Sequence, residues 1–148
     1  MSPDLLFGHA GTLALTGWAV LILGPRRGAF WQALPAWGIP ALLSALYSGL
    51  ALAFFAPTGG GYGSLAEVRQ LLSSDWALLA GWVHYLAFDL AIGAMLARRL
   101  DTIGLARWLQ APLLLLVFLF GPVGFLLALL TELFLRAPAR LASGQPAA

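Results

Sequence analysis

Residues Asp75 to Ala97 read DWALLAGWVHYLAFDLAIGAMLA, and beyond the Asp75 that opens the stretch only His84, Tyr85 and Asp89 can ionise. As an α-helix these residues would be about 34 Å long at about 1.5 Å per residue, enough to cross a hydrocarbon core of about 30 Å. The midpoint falls near Leu86, so His84 and Asp89 both lie within about one turn of the centre. An ionisable group at that depth is costly and usually faces the interior of a helix bundle or a wet cavity.

The rest of the chain fits the same solvent. Of 148 residues, 61% are hydrophobic and 9% charged, where a soluble domain carries about a quarter charged. The expected surroundings are a lipid bilayer. The absence of cysteine rules out disulfides and thiolate chemistry. The formal charge of +2 is too small and scattered for nucleic acid.

Three more apolar runs flank the first one. Leu5–Leu23 follows a start that carries Asp4 and no basic residue. It therefore lacks a signal peptide's positive region and is expected to persist as a helix. GPRRGAFWQALPAWG then suits the headgroup layer, and the second run spans Ile39–Phe55. In APTGGGYGSLAEVRQLLSS the glycine cluster reads as a flexible turn and not a phosphate cradle. Leu65, Val68, Leu71 and Leu72 are spaced as on a short helix lying on the membrane surface. The last run, Leu109–Leu135, exceeds what a crossing needs, and Pro122 within GPVG should kink it. The expected fold is all-α: a single domain over residues 1–136, built as a bundle of four transmembrane helices. A disordered tail over 137–148 should follow.

Four crossings put both termini on one side. Arg26, Arg27, Arg98, Arg99 and Arg107 then share a face, against Arg69, Arg136 and Arg140 on the other. Five against three makes the first face cytoplasmic and sets both termini outside.

Counting by depth brings Tyr47, His84, Asp89 and the Gly121–Gly124 break to similar levels, with Trp18 just past the middle of its span. His84 and Asp89 are about 140° apart around their helix. Trp82, Tyr85, Leu86 and Asp89 share one face; Gly81, His84, Phe88 and Ala91 share another. The pair could line two edges of one cavity or meet different helices as polar glue. Glu132, close in depth to Asp75 and near Arg136, is expected in an interfacial ion pair. No metal site is expected, because only two candidate ligands are central. Haem is disfavoured because His9 and His84 differ in depth by roughly 7 Å, and no cofactor is expected. A proton relay through His84 and Asp89 would need the chain to form a homo-oligomer, since two groups make a thin pathway.

Trp82, His84, Asp89, Leu90 and Gly93, followed by Phe120, Gly121, Pro122 and Gly124, form a pattern with known relatives. It resembles the abscisic-acid-deficient-four-like family of membrane proteins, whose third span carries W-x-H-x-x-x-x-D-L and whose last carries F-G-P-x-G. Trp18 with Pro25, and Pro40 with Tyr47, resemble its first two spans. The resemblance implies a bacterial member in the cytoplasmic membrane, related to the plant protein that forms neoxanthin from violaxanthin. It implies an intramolecular isomerase of carotenoid biosynthesis, or a non-enzymatic carotenoid- or lipid-binding protein. His84 and Asp89 would be the acid–base pair, in either order. Trp82, Phe88 and Trp18 would pack on the polyene, with Tyr85 and Tyr47 nearby. Gly121, Pro122 and Gly124 would let the substrate approach the backbone closely.

Overall fold

A computed structural model describes residues 2–143. Among the described residues every regular element is helical and no strand occurs. Helix α1 covers Pro3–Leu23. It starts where Ser2 accepts a hydrogen bond from the Leu5 N–H at 3.3 Å and Pro3 needs no N–H partner. Helix α2, Ala29–Ala33, runs through one π-turn, Leu34–Gly38, into α3, Ile39–Phe54. Pro35 within that turn and Pro40 just after it each withhold an amide donor, so the local bonding pattern widens there. The second apolar helix therefore begins at Ala29, within the stretch expected to be a headgroup loop.

Helix α4 is Leu65–Leu71 and α5 is Asp75–Thr102. Helix α5 runs past Ala97 because RRLDT continues it. Gly104, at φ 71°, then stops it, with the Leu105 N–H reaching back to the Leu100 carbonyl at 3.1 Å. Three helical stretches are long and apolar enough to cross a membrane: Pro3–Leu23, Ala29–Phe54 and Asp75–Thr102. This is a membrane protein.

The fourth apolar run departs from the expected single kinked helix. It is two helices, α6 over Arg107–Phe120 and α7 over Pro122–Ser143, parted at Gly121. Arg99 Nε donates to Glu132 at 2.7 Å, and Arg136 reaches Thr102 at 3.4 Å. Thr102 lies only five residues before α6 begins. A straight continuation would carry Glu132 roughly 37 Å beyond Arg107, so α7 must return along α6. The buried residues agree: Gln110, Leu114 and Val117 on α6, then Gly124, Ala128 and Glu132 on α7. Their numbers pair in opposite order, as in an antiparallel hairpin. Two features make the reversal possible. Gly121 adopts φ 33°, a region other residues avoid. Gly124 lies directly on the Val117 backbone, where any side chain would collide.

Packing divides the chain into two compact units, Met1–Ala91 and Ile92–Ala148. In the first, Gly17 of α1 meets Leu90 of α5 and Ile39 of α3, around a core that includes Leu43 and Val83. In the second, the α6–α7 hairpin joins the end of α5 through Gln110, whose side chain donates to Asp101 at 2.8 Å and to the Leu105 carbonyl at 2.7 Å. Helix α7 reaches Ser143, into the tail expected to be disordered. The remainder of that tail, 144–148, lies outside the described residues.

Candidate functional site

On α5 the stripe Val83, Leu86, Ala87 and Leu90 is buried, as the helical period requires of a core-facing edge. His84 and Phe88 stand on one flank of it, Trp82, Tyr85 and Asp89 on the other. The imidazole of His84 stacks on Phe88 with ring centres 4.6 Å apart and meets the edge of Tyr47 from α3 at 5.2 Å. Tyr85 donates to Asp89 one turn further along the helix, and the second carboxylate oxygen of Asp89 is buried with no hydrogen-bond partner among the described residues.

His84 and Tyr47 line a half-open cavity of about 330 Å³ bounded by α3, α4 and the start of α5. Its walls are apolar, including Leu50, Phe55, Val68, Leu71 and Ala80, and its polar groups are Tyr47, Tyr62 and His84. That is the make-up of a site for an apolar ligand with an oxygenated end. A wider groove of about 590 Å³ lies on the other flank, lined by Asp4, Phe7, Asp75, Trp82 and Tyr85 among others. Leu72 and Gly81 belong to both linings. Phe7 packs on Trp82 at 5.6 Å, and Trp82 on Tyr85 at 5.3 Å.

Hydrogen bonds and a close backbone contact hold the cap beside the first cavity. Ser64 accepts from the Glu67 N–H at 3.2 Å while the Glu67 carboxylate accepts from the preceding Gly63 N–H at 2.9 Å, a variant of the capping box at the start of α4. Gln70 donates to the Thr58 carbonyl at 3.1 Å, and Gly60 lies against the Leu71 backbone with no room for a side chain. Ring stacking of Phe54 on Trp76 at 4.7 Å ties the end of α3 to the start of α5 beside the cavity.

Of the residues singled out from sequence, the structure brings Tyr47, His84 and Phe88 together, and separately Trp82, Tyr85 and Asp89. Asp89 lines neither of the two cavities. The five-residue spacing leaves His84 and Asp89 on opposite flanks of the buried stripe. Trp18 is sealed in the core of the first unit at 3% exposure. Gly121, Pro122 and Gly124 form the hairpin turn, and the close approach they permit is made by the Val117 backbone. Sequence reasoning missed Tyr62 and the capping role of α4. The signals were an aromatic residue inside the glycine cluster and the S-x-x-E spacing of Ser64 and Glu67. Among the described residues no three His, Asp or Glu side chains gather as a metal site.

The chain matches the family described as ABA4-like, ABA DEFICIENT 4-like, over residues 5–127. It belongs to the ABA4-like family. The matched range runs from Leu5 in α1 through α6 into the first turns of α7, so it includes the whole lining of the His84 cavity and the hairpin turn of this ABA4-like protein. No curated protein and no solved structure matches it.

Proposed function

We propose that this ABA4-like chain admits the oxygenated end of a long apolar isoprenoid, of the xanthophyll-epoxide kind, into the Tyr47–His84 cavity and rearranges it by proton transfer. The observation that carries the reading is an apolar cavity whose polar groups are two phenols and one imidazole, in a member of this family. The reaction is an isomerisation that balances internally. A C–O bond of the epoxide breaks and its oxygen gains a proton. The adjacent polyene carbon loses a proton, and that electron pair forms the new double bond of an allene. His84 takes the carbon-bound proton and the Tyr47 hydroxyl supplies the oxygen's, each within reach of the same guest. Return of the proton from His84 to Tyr47, through the product hydroxyl or a water between them, restores the starting state. Tyr85 and Asp89 sit on the far flank, where they hold α5 and transfer no proton. The protein works in a bacterial cytoplasmic membrane, from which the substrate arrives sideways.

The test is expression in a carotenoid-producing host with pigment analysis. His84→Ala and Tyr47→Phe should each lower conversion by about a hundredfold or more, while Asp89→Asn should retain most of it. Identical pigments with and without the wild-type chain would refute the reading. A second reading, binding without chemistry, is favoured by the absence of a carboxyl group from the His84 cavity. In that case a coloured ligand co-purifies in mild detergent and stays unchanged on incubation.

A further inference from the structure

The twenty residues from Ala111 to Leu130 contain no polar side chain, which reads in sequence as one more membrane crossing. The structure spends them differently. Helix α6 has 14 residues, about 21 Å at about 1.5 Å per residue, short of a core of about 30 Å. From Pro122 to Arg136 the return leg is also about 21 Å, and it ends where Glu132 takes 2.7 and 2.8 Å ion pairs from Arg99 and Arg136. Both legs therefore begin and end at the level of the last turn of α5. At the tip, Leu119, Phe120, Val123 and Leu126 are all more than half exposed, and none could sit in a headgroup layer or water without cost. The tip ends inside hydrocarbon.

We infer that the α6–α7 hairpin is re-entrant: it dips into the membrane from the face on which α5 ends and returns to that face, so the N- and C-termini lie on opposite sides. The arginines supply independent support. With three crossings, by Pro3–Leu23, Ala29–Phe54 and Asp75–Thr102, the positions of Arg26, Arg27, Arg98, Arg99 and Arg107 alternate onto one face. Re-entrance adds Arg136 and Arg140 to them, leaving only Arg69 opposite. Seven of the eight arginines then share a face, where four crossings would leave five against three. That bias marks the face as cytoplasmic. The N-terminus is outside, the C-terminus inside, and the cap of α4 over the His84 cavity belongs to the outer side.

Because the chain has no cysteine, single thiols can be introduced without background. In spheroplasts of a bacterial host, a membrane-impermeant maleimide should label the Ser2→Cys variant directly. It should label Leu105→Cys and Ser143→Cys only after the membrane is permeabilised. Labelling of Ser143→Cys and Leu105→Cys from opposite faces overturns re-entrance; direct labelling of Leu105→Cys overturns the orientation. A second measurement is independent of sidedness. Spin labels on Leu109→Cys/Leu133→Cys in the purified chain should be within about 20 Å of each other, where an uninterrupted helix would hold them roughly 36 Å apart. A distance near the longer value overturns the hairpin.

Discussion

Replacing Gly124 by alanine tests the hairpin through a sign reversal. Gly124 sits in the first turn of α7, and its missing Cβ would fall on the amide nitrogen and Cα of Val117 and the carbonyl carbon of Leu116. These are backbone atoms of α6, so no rotamer change can clear them. The two helices would have to part by roughly 1 Å or more before a methyl reached ordinary contact at about 3.5 Å. Overpacking of this kind costs about 1–3 kcal/mol. Because the clash is with backbone that cannot swing away, the upper part of that range applies, and alanine's better helix propensity offsets up to about 1 kcal/mol of it, leaving a net loss of about 1–2 kcal/mol. At Gly49, inside α3, a Cβ would meet nothing within 4 Å, so the same substitution keeps only the propensity gain of up to about 1 kcal/mol. Thermal unfolding in detergent, followed by circular dichroism, should therefore show Gly124→Ala melting about 2–8 °C below wild type. Gly49→Ala should melt at or above it. A Gly124→Ala protein as stable as wild type, or a Gly49→Ala protein that falls equally far, would refute the close crossing of α6 and α7.

Other expectations follow from the same contacts. Gly17→Val should lower stability by about 1–3 kcal/mol, because the new side chain meets Leu90 and Ile39 at the α1–α5 crossing; an unchanged melting temperature would contradict that packing. Ser64→Ala should loosen α4 by about 1 kcal/mol, read as faster amide exchange over residues 64–72 with the core of α5 unaffected. Gln110→Leu removes both hydrogen bonds from a fully buried side chain. A loss of about 1–3 kcal/mol in unfolding experiments is expected, and none at all would mean that the amide is dispensable to the hairpin base. For the Tyr47–His84 cavity, Leu71→Trp should fill space that a ligand needs and abolish retention of a coloured guest, while Leu133→Trp on an exposed face of α7 should not.

Much of the molecule was written in local pattern. The length and apolarity of the runs around Leu5–Leu23, Ile39–Phe55 and Asp75–Ala97 sufficed for three helices in lipid, because a helix satisfies its own backbone and needs only a matching solvent. The same period placed His84 and Asp89 on separate faces, and the spacing of Glu132 and Arg136 foretold their ion pair. The fate of Leu109–Leu135 was not local. Pro122 signals an interruption in either case, and a kink and a reversal use the same residues. What decides is whether Gly124 can lie on the Val117 backbone and whether Arg99 and Thr102 await the returning leg. The contacts of Arg99 and Thr102 join residues more than thirty positions apart. Glu132, matched by depth with Asp75 when the segment was counted as a straight span, instead pairs with Arg99 at the other end of α5. The candidate site divides the same way. Sequence marks His84 and Tyr47 as polar groups deep in apolar helices, but only folding sets Tyr62 and α4 over them, because a cavity is the space several elements leave between them.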